Sequence, residues 1–99
     1  MAESYIERRI AELLAGFYEQ QFGGKDRGRY RISMKHMRVL AGRKRVTAEM
    51  TQKIGEEMFE LGYVLVDLDS YFVVLAQRTF VSYRRVSDRC IVHVTDSVA

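Results

Sequence analysis

Proline is absent from the chain, and cysteine occurs once, at position 90. A single thiol excludes an intramolecular disulfide and a four-ligand zinc site built on thiolates, so the chain reads as cytosolic. There is no internal repeat, low-complexity tract or linker, so the 99 residues are expected to form one domain around one core. A chain of this size buries roughly 60 to 70% of its unfolded surface, which leaves little room for a deep catalytic cleft beside the core. No run approaches the ~18 apolar residues of a membrane span, and the start M-A-E-S-Y-I-E-R-R is acidic and amphipathic instead of a basic leader followed by an apolar block. Neither secretion nor membrane insertion is expected. Gly-rich phosphate loops, nucleophile elbows and Cys/His arrangements are also missing, and His36 and His93 lie far apart with no carboxylates at metal spacing. No catalytic residue, metal or cofactor is expected, and the reading is of a binding protein, not an enzyme.

What the chain does contain is 47% hydrophobic and 29% charged residues, the balance of a folded domain. The net charge of +3 conceals a steep gradient. Residues 1–24 sum to −2, 25–45 to +8, 46–76 to −5 and 77–99 to +2. A concentration of cations in one fifth of the length points to a polyanionic partner more sharply than the overall pI of about 9.2.

Hydrophobic spacing supplies the elements. Ser4 and Glu7 fit a capping box, and Ile6, Ile10, Leu13, Leu14 and Phe17 recur at helical spacing, with Glu7, Arg8, Glu12 and Glu19 on the wet side, until Gly23 and Gly24 stop the pattern; this predicts a helix over 4–21. Tyr30-Arg31-Ile32 is long enough only for an edge strand. Ser33 then caps a two-turn helix with Met34, Met37, Leu40 and Ala41 on its apolar side, and Gly42 stands where a left-handed C-terminal residue belongs. Thr47 caps a third helix with Met50, Ile54, Met58 and Leu61 inward and Gly62 at its end. From Tyr63 the period falls to two. Val64, Val66 and Leu68 alternate with Tyr63, Leu65 and Asp67, and Phe72, Val74 and Ala76 with Tyr71, Val73 and Leu75, across a turn at Asp69-Ser70, which predicts a hairpin with two largely apolar faces. The run from Thr79 to Val86 fits either a short helix capped by Thr79 or a strand extension, and I91-V-H-V94 reads as a strand fragment or a frayed tail.

The order of helix, short strand, helix, tight turn, helix and hairpin, carried by Y30-R-I-S33, M34-K-H-M-R-V-L-A41, T47-A-E-M-T-Q-K-I-G-E-E-M-F-E-L61 and Y63-V-L-V-D-L-D-S-Y-F-V-V-L75, resembles the winged-helix superfamily of helix-turn-helix proteins. The likeness covers about 70 of the 99 residues and is one of topology and pattern. It implies an α+β domain of three helices with a short edge strand and a C-terminal β-hairpin, core about 4–76, with 77–99 as a C-terminal extension. It also implies a third helix entering a DNA major groove, with phosphates held by the second helix and the following turn.

Arg43, Lys44 and Arg45 precede a helix N-terminus, where free amides and the helix dipole already favour an anion. With Lys35, Arg38, Arg27, Arg29 and Arg31 they are the expected phosphate contacts; a solvated, charged turn is the plain alternative. Glu49, Thr51, Gln52 and Lys53 are the expected base contacts, although Glu56, Glu57 and Glu60 make the later part of that helix acidic. Asp67 and Asp69 stand where a wing usually carries a cation, and aspartates beside a tight turn ordinarily serve the turn. Tyr63, Leu65, Tyr71 and Val73 would suit a dimer seam. Met34, Met37, Met50 and Met58 read as core filling, and Cys90, despite Arg84, Arg85 and Arg89 nearby, as an inert thiol. Double-stranded DNA binding by a cytoplasmic regulator of transcription or accessory factor, homodimeric through the hairpin or the C-terminal segment, is the leading expectation. A protein-interaction module or inhibitor without DNA readout is the alternative. RNA binding lacks an exposed aromatic pair on a basic sheet.

Overall fold

The computed structural model describes residues 2–98, with side chains from Tyr5 to Val94. Four α-helices and a short 3₁₀ helix accompany one antiparallel sheet, in the order α1 (Ala2–Tyr18), β1 (Tyr30–Ser33), α2 (Met34–Ala41), α3 (Ala48–Glu60), β2 (Tyr63–Asp67), β3 (Tyr71–Ala76), the 3₁₀ helix (Gln77–Ser82) and α4 (Asp88–Val98). The strands lie in the order β1-β3-β2. The molecule is α+β, and no helix among the described residues is long and apolar enough to cross a membrane.

The caps that delimit α2 and α3 form as the residue types dictate. Ser33 Oγ accepts from the His36 amide at 3.1 Å, and Thr47 Oγ1 accepts from the Met50 amide at 3.1 Å. Gly42 closes α2 at φ 66°, with its N–H bonded to the Arg38 and Val39 carbonyls, a conformation that is costly for any residue with a Cβ. α3 buries one stripe, Met50, Ile54 and Met58. This stripe joins Ile10, Ala11, Leu14 and Tyr18 of α1, Ile32, Met37, and Phe72, Val74 and Ala76 of β3 in one core.

Several elements depart from the sequence expectation. α1 begins at Ala2, before Ser4, and ends at Tyr18 instead of position 21; the side chain of the expected Ser4 cap lies outside the described residues. The buried stripe of α1 is Glu7, Ile10, Ala11, Leu14 and Tyr18, while Leu13 is exposed. Small Ala11 lets the helix sit close, and Tyr18 extends the stripe, which rotates the contact face and draws Glu7 under it. Gly23 and Gly24 do more than stop a helix. At φ 60° and 81° they form the centre of a tight turn in which Phe22 and Lys25 exchange both backbone hydrogen bonds, as a two-residue turn with positive φ at both central positions requires. Tyr30 Oη donates to the Leu14 carbonyl and anchors the start of β1 on α1.

The sheet register corrects the expected seam. Tyr63, Leu65 and Asp67 pair with Ala76, Val74 and Phe72, so Tyr63 and Leu65 share the core face, and only Tyr71 and Val73 of the four lie on the other. The outer face is Val64, Val66, Tyr71, Val73 and Leu75, all half-buried. The C-terminal segment is neither a strand nor a tail. Residues 77–82 are 3₁₀ with Ala76, not Thr79, at the cap position, and the stretch with β-branched Ile91, Val92 and Val94 is helical. A strand there would have no neighbour to pair with, whereas a helix satisfies its backbone internally.

Replacing Ile54, which is fully buried, by alanine is expected to cost about 3 kcal/mol, and Thr47→Ala about 1 kcal/mol through the lost cap. Phe59→Ser, at a site 61% exposed, should fall within about 0.5 kcal/mol of wild type. Urea denaturation of the three variants checks this ranking.

Candidate nucleic-acid interface

The second helix and the turn that follows are built to expose cations. Met37 is fully buried, and Met34, Leu40, Ala41 and Val46 pack against the core, which fixes α2 and both ends of the turn. Lys35 and Arg38 on α2, and Arg43, Lys44 and Arg45 in the turn, are left exposed. The turn leads directly to Thr47 and the N-terminus of α3. Arg43 shares a concavity of about 180 Å³ with Glu7, Thr47, Glu49, Met50 and Lys53, so its surroundings are mixed in charge. Glu7 is only 5% exposed, and its Oε2 accepts no hydrogen bond from the described residues.

A second group of cations belongs to the loop before β1. Lys25, Arg27, Arg29 and Arg31 line a concavity of about 250 Å³ with Gln20, Phe22, Gly23, Gly28 and Tyr30. Phe22 and Tyr30 meet edge to face with centroids 5.6 Å apart, and Gly28 donates its N–H to the Tyr18 carbonyl at 2.8 Å, so the loop is held against the end of α1. Burial raises the Tyr30 phenol above its ordinary range, with a smaller contribution from Tyr63. Arg31 lies on the outer sheet face with its guanidinium 6.0 Å from the Tyr71 ring centroid.

All eight expected phosphate contacts are exposed. Arg27 pairs with Glu19 at 3.6 Å; the other seven form no ion pair with the described residues. The α1–α3 side behaves differently. Arg8 reaches Glu12 at 3.5 Å, Glu57 at 3.8 Å and Glu60 at 3.3 Å, and Lys53 reaches Glu49 at 3.8 Å. Arg8 and Lys53 are thus paired within the molecule, whereas Arg9 of α1 and the cations of residues 29–45 form no ion pair with the described residues.

The four expected base contacts are divided between two flanks of α3. Glu49 and Lys53 form an ion pair toward α1. Thr51 and Gln52 line a groove toward β2. Thr51 is half-buried and donates its hydroxyl to the Thr47 carbonyl at 3.0 Å, which leaves Gln52 as the exposed polar side chain of the first turns on the flank toward β2. Glu56 and Glu60 follow it on the exposed side. At the hairpin tip, Asp67 Oδ1 accepts from the Asp69 amide at 2.8 Å, and Asp69 adopts φ 75°. Both aspartates are thus engaged in turn chemistry.

His36 and His93 are exposed, and no group of three or more His, Cys, Asp or Glu among the described residues could hold a metal. Comparison with protein-family models, curated proteins and solved structures finds no significant match.

Cys90 is exposed, and its thiol is lowered from the ordinary range, chiefly by the Ser87 hydroxyl 3.5 Å away and not by the arginines near it in sequence. A lowered value shifts thiolate formation to lower pH. The pH midpoint of alkylation by iodoacetamide should therefore lie below that of an unstructured cysteine peptide and move upward in Ser87→Ala.

Proposed function

We propose that the domain is a winged helix that binds double-stranded DNA, acting in the cytoplasm as a transcriptional regulator or accessory factor. The observation that carries this reading is the concentration in one stretch of seven exposed cations, Arg29, Arg31, Lys35, Arg38, Arg43, Lys44 and Arg45, that form no ion pair with the described residues. The strand order β1-β3-β2, with α2 and α3 joined by a short turn, supports the winged-helix assignment. Lys35, Arg38 and the turn residues anchor phosphates. The N-terminal turns of α3 then meet the groove edge, where Gln52 reads a base, and glutamine is suited to adenine. Glu56, Glu60, Asp67 and Asp69 keep the C-terminal half of α3 and the hairpin tip away from the duplex, so the approach is from the α2 side.

A protein-interaction module without DNA readout is the second reading. It is favoured by Phe59, 61% exposed beside Glu56 and Glu60 on the outward side of α3.

Electrostatic binding of this kind is salt-dependent. If six or more phosphates are engaged, affinity for a duplex should fall about a thousandfold between 50 and 200 mM salt, and replacing Arg43, Lys44 and Arg45 together by alanine should reduce the logarithmic salt slope by roughly three. Gln52→Ala should leave that slope unchanged while relaxing discrimination at one base position by about 1–3 kcal/mol. Fluorescence anisotropy on random and selected duplexes measures both. No binding at the lower salt, or a triple variant that binds as well as wild type, would sink the proposal.

A further inference from the structure

The C-terminal arm is apolar, basic and exposed. Every residue from Phe80 to Val94 is exposed, and this stretch carries seven of the thirteen exposed large hydrophobic side chains among the described residues, namely Phe80, Val81, Tyr83, Val86, Ile91, Val92 and Val94. The arm also carries Arg84, Arg85 and Arg89. The molecule measures 51 × 31 × 25 Å with a radius of gyration of 17.0 Å, where a compact chain of this length has about 13 Å. So large an apolar surface is rarely left to water.

The body presents the complementary surface. Between α3 and β2 runs a groove of about 550 Å³ lined by Gly55, Phe59, Val64 and Leu65, with the exposed Glu56 and Asp67 as its acidic rim and Gln52 also in its lining. Gly55 lines this groove without a side chain. It stands inside a helix, where glycine costs about 1 kcal/mol relative to alanine, yet a Cβ built there would meet nothing within 4 Å. The chain's own packing therefore does not require glycine at this position.

We propose that the arm of one copy docks in the α3–β2 groove of a second copy. Apolar residues of the arm cover Phe59 and Val64, its arginines meet the acidic rim, and Gly55 admits the close approach. Reciprocal exchange gives a closed two-fold dimer in which each copy donates one arm and receives one. The basic arm and the acidic rim make the pairing complementary in charge as well as polarity. The inference is independent of the DNA reading, because association is measured without nucleic acid.

Sedimentation equilibrium of the full chain, with Gly55→Met beside wild type, tests it. Wild type should be dimeric at micromolar concentration. Gly55→Met should melt at or above the wild-type temperature, since it removes a helix glycine into open space, while associating at least about thirtyfold more weakly. Because Cys90 is the only cysteine, mild oxidation of Phe59→Cys should join position 59 of one chain to position 90 of the other, as read by peptide mapping. A monomeric wild type would overturn the proposal. So would a dimer indifferent to Gly55→Met whose only crosslink joins Cys90 to Cys90, because that outcome places the arms on each other instead of in the groove.

Discussion

The arrangement rests on the burial of one stripe of α3. Met50, Ile54 and Met58 are the only side chains of that helix fully withdrawn from solvent, and they are held between α1 and the sheet. With 13 residues α3 is near the length at which an isolated helix is marginal in water, so its persistence depends on this contact more than on propensity. Fixing the stripe fixes the two flanks. One flank turns toward α1, where Glu49, Lys53 and Glu57 lie, and the other toward β2, with Thr51, Gln52, Gly55 and Phe59 along it. Everything α3 can present to a partner follows from that single orientation.

Charge is sorted by the same contact. Arg8 of α1 faces Glu57 and Glu60 across the α1–α3 seam, and these ion pairs, partly exposed, contribute little stability individually. Their larger effect is on distribution. They remove one cation from the α1 surface and temper two carboxylates of α3, while the loop before β1, α2 and the turn keep theirs. The strongly basic segment 25–45 thus remains basic as a surface, and the steep gradient along the chain becomes a gradient across the fold.

The parts of the fold governed by local rules were readable from single residues. Ser33, Gly42 and Thr47 mark helix ends because a hydroxyl must meet a free amide or a backbone must turn left-handed, and both requirements are met within a few residues. What escaped the sequence depends on partners distant along the chain. Glu7 shares helical phase with Ile10, Ala11 and Leu14, but its polarity masked a position that the approach of α3 buries. Alternation in β2 defines two faces without saying which is inward, and pairing of Leu65 with Val74 decides it. Ile91, Val92 and Val94 carry the branched side chains of a strand but lack the neighbour that would make one. The same limit applies to the candidate site. The cations were visible as a cluster, whereas the separation of Glu49 and Lys53 from Thr51 and Gln52 on opposite flanks is a consequence of packing.

Two glycines differ in what the chain itself requires of them. Gly42 has φ 66°, and the end of α2 explains it completely: an L-residue with a side chain would be strained there, and the turn carrying Arg43, Lys44 and Arg45 would be aimed differently. Gly55 has ordinary helical geometry and open space around it, so neither backbone strain nor internal crowding accounts for it. Its neighbours along the groove are small or polar near the N-terminus of α3, at Ala48, Thr51 and Gln52, and become acidic and aromatic further on, at Glu56 and Phe59. One helix therefore offers two chemically different halves on the same flank. A polyanion is compatible only with the first, which adjoins the basic turn, and a basic, apolar ligand only with the second. The two proposed contacts draw on different side chains of one groove, Gln52 for the first and Gly55, Glu56 and Phe59 for the second.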